Sequence, residues 1–128
     1  MTIDKVIFQE RGIDHEDARR TLSTAFNGDF GGFTAKQTKV YKIHQDAQLA
    51  GHFHKYQELL YVIDGELDIQ LVDIETKEEN NYSLKANCSI LILAQVAHKV
   101  FVKKGTTMIG CTEEPFVSPE VNDTMYDF

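Results

Sequence analysis

From residue 36 onward the dominant period of the sequence is two, and alternation of that kind belongs to strands rather than helices. Lys36 to Ile43 alternates. Residues 58 to 63 form an apolar run ending in Asp64-Gly65, a dipeptide that accepts the positive φ angles of a tight hairpin turn. Glu66 to Leu71 then alternates as the return strand, with one polar and one apolar face. Glu75 to Asn81 reads as a polar turn, with strands near 82–85 and 89–93 after it. The last clear strands are His98 to Lys103 and Thr106 to Thr112, joined through Gly105. Helix candidates are scarce; a slight signal lies where Asp14 would cap a turn through Glu16, Asp17 and Ala18. Many short strands separated by turns predict an all-β sandwich or barrel.

The chain has 128 residues, enough for one domain with one core, and its 42% of hydrophobic residues can build that core without disulfides. The single domain is expected over 1–128, with its core at about 36–112 and a tail at 113–128. Cys88 and Cys111 stand apart with no CxxC spacing and read as structural thiols. A net charge of -7, with no basic patch beyond Arg19-Arg20 and Lys103-Lys104, argues against nucleic acid and anionic membranes as partners. No signal-peptide-like start and no apolar run of membrane-spanning length is present, so a cytoplasmic protein is expected. The stretch Asn27 to Gly32 lacks the flanking strand and helix of a phosphate-binding loop and reads as a turn. The tail carries Phe116, Val121, Met125, Tyr126 and Phe128, apolar residues expected to pack on the outside of the barrel or against a partner subunit, which predicts a homodimer.

The chemistry concentrates in Gly51-His52-Phe53-His54-Lys55-Tyr56-Gln57-Glu58. On an extended chain His52 and His54 point to one face, and Glu58 keeps their parity at the head of an apolar strand. His98 sits at the head of a later strand. Three imidazoles and a carboxylate converging at one point would suit a divalent transition metal (Zn, Mn, Fe or Ni), and an octahedral ion held by four such ligands keeps two positions open. His15 and His44 match no motif and read as surface or loop residues. Gln37, Lys39 and Tyr41 share a strand parity and are candidate donors to a ligand from a neighbouring strand.

Residues 52 to 65 resemble the first motif of the cupin family: His52, His54, Glu58 and Gly65 match its HxH, Glu and Gly positions. The family's earlier glycine is Asp46 here. His98 matches the histidine of the second motif, whose glycine falls near Ala86-Asn87, whose proline falls near Leu93-Ala94, and whose closing asparagine is absent. The resemblance covers about residues 36 to 112. It implies a jelly-roll barrel (a double-stranded β-helix) with short N-terminal and C-terminal extensions and the four ligands at its mouth. A narrower resemblance is to the deoxysugar-nucleotide epimerase and 3,4-ketoisomerase branch of RmlC-like cupins. It rests on Lys39-Val40-Tyr41, Gly51-His52-Phe53-His54-Lys55 and Arg11-Gly12. The arginine which that branch carries before its first histidine is replaced by Leu49-Ala50, removing a bidentate grip on a diphosphate.

Three activities use the same residues. The leading expectation is a metal-binding cupin that binds or transforms a small polar, carbohydrate-like molecule. The second is a metal-free sugar-nucleotide ketoisomerase or epimerase, with His52 or His54 moving a proton and Tyr41 assisting. The third is a non-catalytic ligand-binding or sensing module.

Overall fold

The computed structural model describes residues 5–28 and 30–128. Eleven strands precede the C-terminal segment: β1 (Val6–Glu10), β2 (His15–Glu16), β3 (Thr21–Leu22), β4 (Gln37–Lys42), β5 (Ala47–Phe53), β6 (Glu58–Asp64), β7 (Glu66–Asp73), β8 (Glu79–Lys85), β9 (Cys88–Ile92), β10 (Val96–Val102) and β11 (Thr107–Thr112). A single helical turn, α1 (Pro119–Asn122), and a short strand, β12 (Thr124–Met125), follow. Two antiparallel five-stranded sheets, ordered β1-β9-β6-β11-β4 and β12-β5-β10-β7-β8, face each other. No helix among the described residues is long and apolar enough to cross a membrane.

Alternation decides which side chains meet between the sheets. Leu67, Ile69 and Leu71 of β7 point inward, as do Leu60 and Val62 of β6, Val100 and Val102 of β10, and Met108 of β11. Burial of each such side chain stabilises the fold by roughly 1.5–3 kcal/mol, so the barrel rests on its apolar strands. The unbroken apolar run of β6 has a separate cause. Its opposite face carries Leu59, which packs with Leu91, Phe30 and Phe33 supplied by the N-terminal third of the chain. A strand covered on both faces loses the alternation of a half-exposed one.

Gly65 alone joins β6 to β7, at φ +91°, and a Cβ there would overlap Thr106 Oγ1 and lie 2.7 Å from Thr106 Cα. The Asp64-Gly65 turn predicted from the sequence is therefore required sterically as well as conformationally.

Several expectations are corrected. The turn of helix after Asp14 is a small hairpin of β2 and β3. Its cause is Asp17, whose Oδ1 accepts from the backbone N–H groups of Arg19 and Arg20 at 2.8 and 3.1 Å and so closes a turn rather than capping a helix. The N-terminal segment is more than an extension, since β1 pairs with β9. Strand β8 begins at Glu79, inside the stretch read as a turn, because a polar strand at a sheet edge loses the apolar half of its alternation. The tail does more than cover the barrel's outside: its Phe128 ring lies over the outward-facing Lys99, while β12 pairs with β5 beside His52.

His15 lies in the surface hairpin, 2.8 Å from Asp17, and His44 is exposed in a loop. Cys88 and Cys111 are free thiols. The stretch 27–32 forms turns at its described residues, and Asp29 lies outside them.

Candidate functional site

The inward-facing parity that builds the core also builds the site at one end of it. Glu58 heads the inward row of β6 that continues through Leu60 and Val62, and His98 stands in the row of β10 that continues through Val100 and Val102. His98 pairs in register with His52 across β10 and β5. A β-bulge interrupts that pairing next to His52, where Ala50 and Gly51 take φ of 65° and 89°. Bulges re-aim side chains, and this one turns His52 inward. His54 follows just after β5.

The structure brings His52, His54, Glu58 and His98 together. The three imidazoles offer nitrogens that lie within 4.8 Å of one another. Glu58 Oε1 lies 3.3 Å from His54 Nε2 and 3.2 Å from His98 Nε2. The site opens into a cavity of about 260 Å³, walled by Tyr41, Tyr56, Leu49, Met108, Phe116 and the three histidines among others. Gln37 and Lys39 line it as well, so the parity of β4 places all three of its candidate donors at the cavity. Gly110 makes room for Tyr41: a Cβ there would sit 3.3 Å from the Tyr41 ring.

The hydrogen-bond chemistry of the histidines is informative. His98 Nδ1 lies 3.1 Å from the Val96 carbonyl oxygen, which can only accept, so Nδ1 carries the hydrogen. The Nε2 lone pair then points into the site, and that buried atom has no hydrogen-bond partner among the described residues. His54 repeats the pattern, with Nδ1 3.2 Å from the Asn122 carbonyl and Nε2 toward Glu58. His54 Nε2 is within hydrogen-bond reach of Glu58 Oε1, whereas the His98 Nε2 lone pair beside that carboxylate oxygen is repelled unless a cation lies between them. Ligand atoms about 2.1 Å from an ion and at right angles to each other are about 3 Å apart, close to the separations of Glu58 Oε1 from His54 Nε2 and His98 Nε2. The donor set therefore fits a divalent metal, and the orphaned His98 Nε2 is the atom that such an ion would satisfy.

Electrostatics separates the titratable groups. Burial, reinforced by the neighbouring His98 and His54, lowers the His52 pKa to about 4, leaving the ring neutral at pH 7. His54 is raised: burial works against its charge, but the Glu58 carboxylate, the Asn122 carbonyl and Asp123 outweigh it. Burial alone would raise Glu58, yet the His54 ring hydrogen-bonded to it holds its carboxyl well below the usual carboxylate range. Burial, with the charges of Glu58 and Asp123, pushes the Tyr41 phenol up to about 12, so it remains a hydrogen-bond donor.

The tail contributes what the sequence reading did not find. Asp123 places Oδ1 3.1 Å from His54 Nδ1 and Oδ2 3.6 Å from His52 Nδ1. Tyr56 stacks on His54 at a centroid distance of 4.7 Å. No parity links Asp123 to the HxH strand. The one local signal was Ser118-Pro119, the cap-then-proline pattern of a helix start, which marks order in the tail without revealing its target.

Two facing antiparallel sheets give the chain the barrel fold of RmlC-like cupins, with a histidine-carboxylate cluster at one mouth. No protein-family model matches the chain, and no curated protein matches it. Solved structures do. The ChmJ 3′-monoepimerase of Streptomyces bikiniensis, in complex with dTDP-quinovose, superposes with a TM-score of 0.84 at 17% identity, covering 98% of this chain and 71% of that one. The QdtA sugar 3,4-ketoisomerase of Thermoanaerobacterium thermosaccharolyticum, in complex with TDP, gives 0.78 at 18%, covering 96% and 89%. The epimerase RmlC of Legionella pneumophila, in complex with dTDP-4-keto-L-rhamnose, gives 0.77 at 18%, covering 98% and 74%.

Proposed function

We propose that this cupin binds one divalent transition metal through His52, His54, Glu58 and His98 and holds a small polar molecule in the cavity above it. The observation that carries the proposal is the buried, unpartnered Nε2 of His98, tautomerically fixed by Val96 and facing the Glu58 carboxylate. A bound ion would supply Lewis-acid polarisation of a ligand oxygen. The chain's own groups then act on the ligand: the Tyr41 phenol donates a hydrogen bond, and the Lys39 ammonium and Gln37 amide offer further donors at the cavity wall. Leu49, Met108 and Phe116 supply apolar surface at the cavity wall. A cavity of about 260 Å³ suits a small molecule better than an entire nucleotide sugar. Open strand edges support a homodimer, and a cytoplasmic location completes the proposal.

A second reading draws on the ligands of the similar solved structures, which hold TDP or dTDP-sugars. Under it, neutral His52 removes the proton beside a sugar carbonyl and Tyr41 donates to the carbonyl oxygen. Among the described residues lining the cavity, Lys39 is the one lysine and there is no arginine, so a diphosphate would find little charge to hold it.

Calorimetric titration of chelator-stripped protein separates the two. Zinc(II), manganese(II) and nickel(II) are each added alone, and TDP is added in a parallel experiment. Metal binding at one site per chain, without TDP binding, is expected. TDP binding without metal binding would reverse the preference.

A further inference from the structure

We infer that the cavity takes a small carboxylate monoanion, held by Lys39 of β4 opposite the histidine cluster. The inference rests on the metal-binding reading proposed above and names the class of molecule that the site accepts. Gln37, Lys39 and Tyr41 stand in one row on the inner face of β4, because residues two apart on a strand share a face. Lys39 is the one lysine among the described cavity residues, which include no arginine. Its Nζ lies 4.2 Å from the centroid of the Phe116 ring, and among the described residues no carboxylate reaches it within ion-pair distance. A ring attracts an ammonium through its quadrupole but does not neutralise it. A half-buried ammonium with its charge uncompensated is the group that an anionic ligand would satisfy.

Strand register sets that ammonium near the cluster. Lys39 pairs with Gly110 of β11, and Gly110 pairs with Leu60 of β6, two residues from Glu58. Gly110 puts no side chain between them: a Cβ there would meet the Tyr41 ring at 3.3 Å and Glu58 Oε2 at 3.7 Å, so both lean toward the strand that separates Lys39 from Leu60. The charge of the ligand follows from the lining. With neutral rings, the carboxylates of Glu58 and Asp123 outnumber the one ammonium, so the empty cavity holds an anion weakly. A divalent ion at the histidines reverses the sign and leaves one positive charge in excess, which one carboxylate neutralises. Leu49, Leu60, Val100 and Met108 make much of the remaining wall, which favours an anion with an apolar body. A cavity of about 260 Å³ lies below the range of about 300–1,000 Å³ usual for drug-sized ligands, which limits that body to a few carbons. By linkage, the ion and the carboxylate each raise the other's affinity by the same factor.

The test uses the full-length chain with cobalt(II) as the ion and isovalerate and its neutral amide, isovaleramide, as the probes. The two probes share one shape and differ in charge. Cobalt is titrated first, and each probe is then titrated calorimetrically into the loaded and the stripped protein. Isovalerate should bind the loaded native chain at least about tenfold more tightly than isovaleramide does, and at least about tenfold more tightly than it binds the stripped chain. In Lys39→Gln the ratio of isovalerate to isovaleramide affinity should fall by about tenfold or more, whereas Lys39→Arg, which keeps the charge, should retain most of it. Equal affinity of the two probes for the loaded native chain, a ratio unchanged in Lys39→Gln, or no binding of isovalerate at millimolar concentration would each overturn the inference. Failure of the native chain to bind cobalt would instead defeat the metal reading. The stripped protein then decides: a ratio that falls in Lys39→Gln supports the anion site, and an unchanged ratio overturns it.

Discussion

Glu58 Oε1 lies 3.2 Å from His98 Nε2 across the space between the two sheets, yet that nitrogen has no hydrogen-bond partner among the described residues. The His98 hydrogen is committed to the Val96 carbonyl on the other side of the ring. A buried acceptor beside a buried carboxylate is costly unless something positive joins them. Glu58→Gln and His98→Ala should therefore each reduce metal affinity by more than about 100-fold, beyond the loss typical of an outer partner. A chelator should lower the melting temperature of the native protein and leave both variants almost unchanged, because an ion that binds only the folded state stabilises it by mass action.

The metal-free protein should depend on pH through His52 and His54 in opposite senses. His52 is lowered from 6.5 to about 4 by burial and by its imidazole neighbours. Between those values the unfolded chain holds the extra proton, so the His52 contribution to stability grows as pH rises from about 4 to 6.5. His54 is raised against its burial by Glu58, so its contribution is present below the unfolded value and lost as pH rises through the folded one. Proton NMR titration of stripped protein should find the His52 ring titrating near 4, and His52→Asn should flatten the rise in stability over that window. A His52 midpoint near 6.5 would contradict the described environment.

Gly65→Ala tests the hairpin that sets the register of β6 and β7. The added Cβ meets Thr106 at a backbone φ of +91°, so both strain and overlap oppose it. A loss of roughly 1–3 kcal/mol or more in denaturant unfolding is expected. A change below about 0.5 kcal/mol, the usual range of neutral surface substitutions, would show that the turn can shift.

Self-association has a physical basis in the outer strands β4 and β8 and in exposed Val40, Val117, Val121 and Met125. Sedimentation at micromolar concentration should show a dimer. A pure monomer across that range would contradict it.

The sequence carried the barrel and the four-residue cluster because both are written in local periodicity. His52, His54 and Glu58 share parity, and His98, Val100 and Val102 continue a single inward row, so spacing alone groups them. Gln37, Lys39 and Tyr41 reached the cavity for the same reason. Asp123 was illegible because its contact is made by a strap that crosses from one end of the chain to β5, and no period connects the two. The hairpin at His15 and Leu22 was missed because Asp17 closes a turn with its side chain, a local bond that competes with the capping expected from Asp14. The apolar run of β6 was legible as a strand, but its burial on both faces was not, because nothing in the run names Phe30 and Phe33 as the cover.

The most direct measurement is anomalous diffraction from crystals of untagged protein purified without chelator, collected on both sides of the absorption edges of manganese, iron, nickel and zinc. A single peak per chain is predicted, about 2.0–2.3 Å from ring nitrogens of His52, His54 and His98 and from a Glu58 oxygen. No peak in that cluster, with the same protein failing to acquire one after soaking in zinc(II) or manganese(II), would contradict the metal centre.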